Sequence, residues 1–137
     1  MQQSSKVKGL GFFERSLEQE ISRDFLLQVI RQKINAYPLR DKVLFELSYY
    51  SLISSLEIIT LNISDINVAM RTVRIKRGNE ILHISMTDSC ATLLNELCSL
   101  ANLSDGPLFL NARGERMSLS NLWFIKKNFS VEVGPYP

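Results

Sequence analysis

The chain has 137 residues, of which 45% are hydrophobic and 22% charged, and sixteen basic against fourteen acidic residues give it a net charge of +2. This length and composition are ordinary for one globular domain with its own core. The near balance of charge excludes a strongly basic or acidic protein, so any nucleic-acid footprint must be a local patch.

The sequence shows no pattern typical of a targeting signal. No apolar run reaches the length of a membrane span, and the N-terminus lacks the layout of a signal peptide. We therefore expect a cytoplasmic protein with no membrane partner, in which residues 1–15 form a flexible arm and residues 16–137 one domain. Cys90 and Cys98 lie about 12 Å apart along one predicted helix, too far for a disulfide, so both are expected to be reduced.

Three helices are predicted in the first half of the chain. The first begins at Ser16 and ends before Pro38. Its apolar stripe consists of Ile21, Phe25, Val29 and Ile34. The second starts at a possible cap, Asp41, and is apolar nearly all round, which is typical of a buried central helix. The third begins after Ser54, which stands three residues before Glu57, the spacing of a reciprocal capping box.

A small antiparallel sheet is predicted next. The segments "TVRIKR" (72–77) and "ILHISM" (81–86) concentrate β-formers on either side of "GNE", which favours a hairpin, and an earlier strand over 65–68 joins them. Alternation along the first segment places Arg74 and Lys76 on the sheet face opposite Val73 and Ile75.

Two helices are predicted in the remainder. Asp88 caps the first of them, and "LFLNARGERMS" then forms a short strand and a turn. Ser118 caps the last helix, which carries Leu122, Ile125 and Phe129 on one face. The predicted fold is α+β, mainly helical with a small three-stranded antiparallel sheet.

Three segments of the chain follow one another in a distinctive order: "RDKVLFELSYYSLISSLEIITLNISDINV", "TVRIKRGNEILHISMT" and "GPLFLNARGERMSLSNLWFIKKNF". This order resembles the tyrosine recombinases, the phage-integrase and Xer-type family, in which a buried helix leads to an arginine turn, a lysine hairpin and a DNA-facing helix. The resemblance extends from about residue 18 to the C-terminus. It implies the first half of a tyrosine recombinase catalytic domain.

In that family a tyrosine attacks a DNA phosphate, and arginines, a lysine and other groups stabilise the developing charge. The resemblance puts Ser54 where the first arginine stands in a Gly-Leu-Arg-x-x-Glu-Leu pattern, and Glu57 at the supporting carboxylate. The hairpin lysine is matched by either Lys76 or Arg77. Because serine is uncharged and cannot form the two parallel bonds of a guanidinium with phosphate, the exchange removes a main electrostatic contributor.

The given sequence stops before the family's His-x-x-Arg box and its nucleophilic tyrosine. The tyrosines present do not match the nucleophile; they are Tyr37, Tyr49, Tyr50 and Tyr136. The chain as given is therefore expected to have no catalytic residues, to be truncated and not to be an enzyme. An alternative is that these 137 residues are a fragment of a longer recombinase, in which case the missing box says nothing about the native protein.

No cofactor and no metal are expected. His83 is the one histidine, and it lies in an alternating strand without other ligands at metal spacing. The chain also lacks a phosphate loop, a nucleophile elbow and a Cys/His dyad, so other enzyme classes gain no support.

Two sets of residues are candidates for contact with double-stranded DNA. The hairpin set is Arg74, Lys76 and Arg77. The set around the last helix is Arg113, Arg116, Ser120, Asn121, Lys126 and Lys127. The resemblance implies that this helix approaches a groove, with Asn121 a possible base reader. For both sets the alternative is a solvated surface, and Trp123 and Phe124 are predicted to pack rather than to stack on bases.

Two functions follow from these patterns. The first is a catalytically inactive, integrase-like protein that binds DNA or modulates a full recombinase. The second is a protein-interaction module or a decayed remnant that does not bind DNA. In either case exposed apolar surface would favour a homodimer or a full-length recombinase as partner.

Overall fold

The computed structural model describes residues 23–101 and 105–131, so the predicted arm over residues 1–15 and the predicted cap Ser16 lie outside the described residues. In chain order the elements are α1 (23–33), α2 (Leu39–Phe45), a π-helical turn (Glu46–Tyr50), α3 (Ser55–Ile59), a 3-10 turn (Ile63–Asp65), β1 (Ile66–Asn67), β2 (Thr72–Arg77), β3 (Glu80–Ser85), α4 (Asp88–Ala101) and α5 (Leu119–Val131). The predicted α+β fold is confirmed. None of the described helices is long and apolar enough to span a membrane.

The predicted stripe of the first helix is confirmed in part: Ile34 is buried and Val29 half-buried, while Ile21 lies outside the described residues. Leu27, Ile30 and Ile34 are buried, whereas Phe25 is 68% exposed. The buried residues follow one another at intervals of three and four, which is the spacing of one helix face. Phe25 lies off that face, so its assignment to the core was wrong.

Helix α2 begins at Leu39 and not after Asp41. Pro38, with φ −54° and ψ 150°, occupies the N-cap position. Proline suits a helix start because it has no backbone N–H to leave without a partner. The helix is buried nearly all round, as its composition predicts, and Phe45 contacts the rings of Tyr49 and Phe129 at centroid distances of 5.4 and 5.6 Å.

A buried carboxylate joins three parts of the fold. Glu46 is 1% exposed, and its two oxygens accept hydrogen bonds from Arg31 Nε and Nη2 at 2.7 and 2.9 Å. Thr87 Oγ1 donates a third bond to Glu46 at 2.9 Å. The same Thr87 oxygen accepts from the backbone of Cys90, so Thr87, and not Asp88, caps α4.

The chain leaves α2 through a wider turn and then reverses direction. Residues Glu46–Tyr50 form the π-helical turn, and Leu52 follows in the left-handed region with φ +57°. A leucine with positive φ is strained because its Cβ crowds the neighbouring carbonyl. Ile53 then returns to the core, with 2% exposure, and α3 begins.

The three strands lie in the order β1-β2-β3, with both pairs antiparallel. The predicted strand 72–77 has these bounds in the structure, while β3 lies one residue earlier than predicted. Val73 and Ile75 are buried and Arg74 and Lys76 are exposed, so the predicted division of the two faces is confirmed.

The segment before α5 joins the end of α3. Pro107 bridges to Asn62, and Leu110 bridges to Arg116 around a turn that includes Gly114 with φ +79°. The two cysteines are unpaired, as expected; Cys90 is buried and Cys98 half-buried. On α5, Leu122, Ile125 and Phe129 are buried, which confirms the predicted stripe.

Leu52 gives a test of this turn. Because Leu52 is 65% exposed, little packing is lost when it is replaced, and the left-handed backbone decides the outcome. We expect Leu52→Gly to be more stable than Leu52→Ala by about 1 kcal/mol, since only glycine relieves the strain of positive φ. Urea unfolding of both variants measures the difference, and equal midpoints would show that the turn is unstrained.

Candidate functional site

Ser54 caps α3 and uses its hydroxyl to do so. The Oγ of Ser54 accepts a hydrogen bond from the backbone N–H of Glu57 at 3.2 Å, and Glu57 Oε1 accepts from the backbone N–H of Ser54 at 3.0 Å. The capping box predicted from their spacing is therefore confirmed. The position that the resemblance gives to an arginine holds a short, neutral group committed to the helix start.

Glu57 is bound on its other side by the hairpin. Arg77 donates from Nε and Nη2 to the two carboxylate oxygens of Glu57, at 2.8 and 2.9 Å. The bonds from Arg77, with smaller contributions from Ser54, lower the pKa of Glu57 to about 2. Arg77 thus supplies a guanidinium to the start of α3 from β2, where Ser54 supplies none.

The remaining hairpin cations differ in their surroundings. Arg74 forms an ion pair with Asp65 at 3.2 Å. Lys76 is exposed and has no ion pair with another described residue. Both line an open groove of about 460 Å³ between α3 and the hairpin, with Glu57 and Leu56 on its opposite wall.

Arg116 donates hydrogen bonds to the C-terminal end of α3. Its Nη1 donates to the carbonyls of Ile59 and Leu61 at 3.0 and 3.1 Å, and its Nη2 donates to Asn62 Oδ1. Carbonyls at a helix C-terminus lack partners inside the helix, and a cation there also meets the negative end of its dipole. The donors of Arg116 are therefore largely occupied within the fold.

The start of α5 repeats the capping arrangement. Ser118 Oγ accepts from the backbone of Asn121 at 3.1 Å, and Asn121 Oδ1 accepts from the backbone and hydroxyl of Ser118 at 3.1 and 2.9 Å. The oxygen of Asn121 is thus engaged locally, which leaves its amide N–H groups as donors. Ser120 and the preceding Arg113 are exposed.

The side chain of Lys126, on α5, reaches the start of α3. Its Nζ donates to Ser55 Oγ at 3.0 Å and lies 5.6 Å from the centroid of the Tyr49 ring. Partial burial lowers the pKa of Lys126. Together with Trp123 and Lys127, these residues line a second open groove of about 460 Å³, between α3 and α5.

Trp123 and Phe124 are exposed, by 58% and 63%. The two rings pack edge to face against each other at the surface, with their centroids 5.1 Å apart. They lie outside the stripe of Leu122, Ile125 and Phe129, and Lys127 Nζ lies 5.1 Å from the Trp123 ring centroid. Both positions fall off the buried face of the helical period, so the two rings stay at the surface.

Tyr49 and Tyr50 follow α2 in the π-helical turn, and burial raises the pKa of both phenols. Arg31 stacks on the Tyr50 ring at 4.1 Å from the centroid.

Among the described residues no group of three or more His, Cys, Asp or Glu side chains is placed to hold a metal ion, and His83 is exposed on β3.

Six candidates lie beside α3, which forms one wall of each groove: Arg74, Lys76, Arg77, Arg116, Lys126 and Lys127. Arg113, Ser120 and Asn121 line neither groove. Sequence reasoning missed Ser55 and Tyr49 in the second groove. No local pattern marks them, because Ser55 lies 71 residues from Lys126. An arrangement with cations on both sides of one short helix can bind an extended polyanion.

The chain was compared with protein-family models, with known sequences and with solved structures, and each comparison found a match. The model of the phage integrase family matches residues 18–135. Similar proteins include tyrosine recombinase XerC of Roseiflexus sp. (strain RS-1), 34% identical over 81% of this chain and 38% of the relative. Tyrosine recombinase XerD of Oceanobacillus iheyensis is 27% identical over 88% of this chain and 44% of the relative. The crystal structure of XerA recombinase matches with a TM-score of 0.71 and 16% identity, covering 82% of this chain and 42% of that chain, which shows the same fold.

The Glu57–Arg77 pair predicts a pH dependence of stability. Because the pKa of folded Glu57 falls from 4.5 to about 2, its contribution is complete above pH 4.5 and is lost as the pH falls towards 2. We expect wild type to be more stable than Glu57→Gln at neutral pH, with the difference shrinking across that window. Thermal unfolding between pH 7 and 2 measures it.

Glu96→Gln is the matched control, since Glu96 is an exposed carboxylate on α4, away from the hairpin. A difference between wild type and Glu57→Gln that stays constant with pH would contradict the ion pair.

Proposed function

Since this chain belongs to the phage integrase family, we propose that it binds duplex DNA without cutting it. The chain spans less than half the length of the relatives described above. The proposal therefore rests on the described residues and not on the activity of those proteins. The observation that carries it is the start of α3, where Ser54 supplies no guanidinium. Exposed cations lie on the hairpin on one side of this helix and on α5 on the other.

Exposed positive charge supports DNA binding. Lys76 on the hairpin and Lys127 on α5 have no ion pair with a described residue, and Arg113 is exposed beside the start of α5. None of the described residues that line the groove between α3 and α5 is acidic. Lysine and arginine side chains of this kind neutralise phosphates and release counterions, which supplies most sequence-independent affinity for DNA.

The capping role of Ser54 supports the absence of cleavage. Stabilising a phosphoryl transition state requires fixed positive charge directed at the phosphate oxygens. The Ser54 hydroxyl is neutral and already bonded to the backbone of Glu57. Arg77 brings a guanidinium nearby, but two of its N–H groups are held by Glu57.

A second candidate function is binding to another protein, either a second copy or a full-length recombinase. It is favoured by an apolar groove of about 240 Å³ lined by Leu97, Leu100, Pro107 and Leu110. Leu100 is 71% exposed there. Exposed apolar surface of this kind is typical of protein contacts.

Fluorescence anisotropy with labelled duplex DNA across a salt series tests DNA binding. We expect affinity to fall with salt, and we expect the double variant Lys76→Ala/Lys127→Ala to reduce the log–log slope by about 2, because two phosphate contacts are lost. The variant Lys33→Ala/Lys42→Ala removes the same charge from α1 and α2 and serves as the control. No binding at low salt, together with concentration-dependent sedimentation, would favour protein binding instead.

The absence of cleavage has its own test. Duplexes selected for binding from a random pool are incubated with the chain and separated on a denaturing gel. We expect no DNA-linked protein, because Ser54 supplies no charge to stabilise the phosphoryl transition state. A band that survives denaturation would overturn this part of the proposal.

A further inference from the structure

We propose that the groove between α3 and α5 receives an unpaired nucleotide, with its base against Trp123 and its phosphate at Lys126 and Lys127. The inference rests on the proposed DNA binding and adds a preference for DNA that offers an unstacked base. It assigns a role to an exposed aromatic side chain that the duplex proposal leaves unused.

The two lysines supply the anion-binding half of the site. Lys126 is partly buried, yet its described hydrogen-bond partner is the neutral hydroxyl of Ser55 at 3.0 Å. An ammonium group has three N–H donors, and a partly buried charge is costly unless an opposite charge accompanies it. Because no described lining residue is acidic, a phosphate would supply the missing negative charge.

Trp123 supplies the other half. It is three residues before Lys126 and four before Lys127, so all three lie on one face of α5. Trp123 remains 58% exposed although Lys127 lies over its ring. An aromatic ring beside cations along a groove is the arrangement that proteins use to bind single strands, in which each base stacks on a ring and the backbone follows the positive charge.

The same geometry favours an unpaired nucleotide over a paired one. Inside a duplex both faces of a base are covered by its neighbours, so a protein ring can stack only on a base that has left the stack. The groove volume of about 460 Å³ falls within the range of pockets that hold small organic ligands.

Trp123 is the one tryptophan in the chain, so its fluorescence reports directly on the groove. Three DNAs are compared: a blunt duplex, the same duplex with a short single-stranded tail, and the duplex with a tail of abasic nucleotides. We expect the tailed duplex to bind roughly tenfold more tightly than the blunt one and to quench Trp123, because a base stacks on the ring. The abasic tail keeps its phosphates and should do neither to the same extent.

Variants separate the inference from the proposal beneath it. Trp123→Ala should lose the preference for the tail and keep binding to the blunt duplex. Phe25→Ala is the matched control, since Phe25 is an exposed aromatic side chain on α1 that does not line the groove. Anisotropy measures both variants with the same three DNAs.

Each outcome is decisive. Equal affinity for blunt and tailed DNA, or equal quenching by the abasic tail, would overturn the inference and leave duplex binding intact. Binding confined to the tailed DNA would support the inference and overturn the duplex proposal. Binding to none of the three would overturn both.

Discussion

The carboxylate of Glu46 is buried at the point where α1, the π-helical turn and α4 meet, and the arrangement of these elements depends on its being satisfied. Arg31 reaches it from α1, and Thr87 reaches it from the start of α4. Removing one partner from a buried pair costs about 3–5 kcal/mol, because the other charge is left without compensation. Arg31 keeps a third of its side chain exposed, which moderates this cost. The pair, together with Thr87, therefore joins α1 and the start of α4 to the π-helical turn.

From that anchor the chain runs through the π-helical turn and the left-handed Leu52 to the cap of α3. The resemblance to the family's Gly-Leu-Arg-x-x-Glu-Leu pattern predicts glycine and arginine at these positions, where this chain has leucine and serine. The turn is retained because the buried Ile53 and the capping box of Ser54 hold its two ends. The shape of the turn therefore does not depend on a glycine at the position of Leu52 or an arginine at the position of Ser54.

Patterns among residues close together in the sequence predicted the caps of α3 and α5 and the buried face of β2. Ser54 and Glu57 are three residues apart, and the alternation over 72–77 settles which side chains of β2 face the core. Contacts between distant residues could not be predicted in this way. Arg77 lies 20 residues from Glu57, and Arg116 lies 57 residues from the carbonyl of Ile59 that it binds. The start of α2 was misplaced because Asp41 suits a cap by residue type, whereas the fixed backbone of Pro38 sets the boundary.

Helix α3 has five residues, too few to persist as an isolated helix, and three charged side chains that bind it come from later in the chain. Arg77 binds its first turn, Arg116 its last carbonyls, and Lys126 its opening serine. During synthesis the helix cannot be completed until residue 126 has left the ribosome, because each contact closes a long loop. A short helix is thus completed by residues that are synthesised long after it. Because Leu122, Ile125 and Phe129 of α5 also belong to the core, the core and the site are completed together.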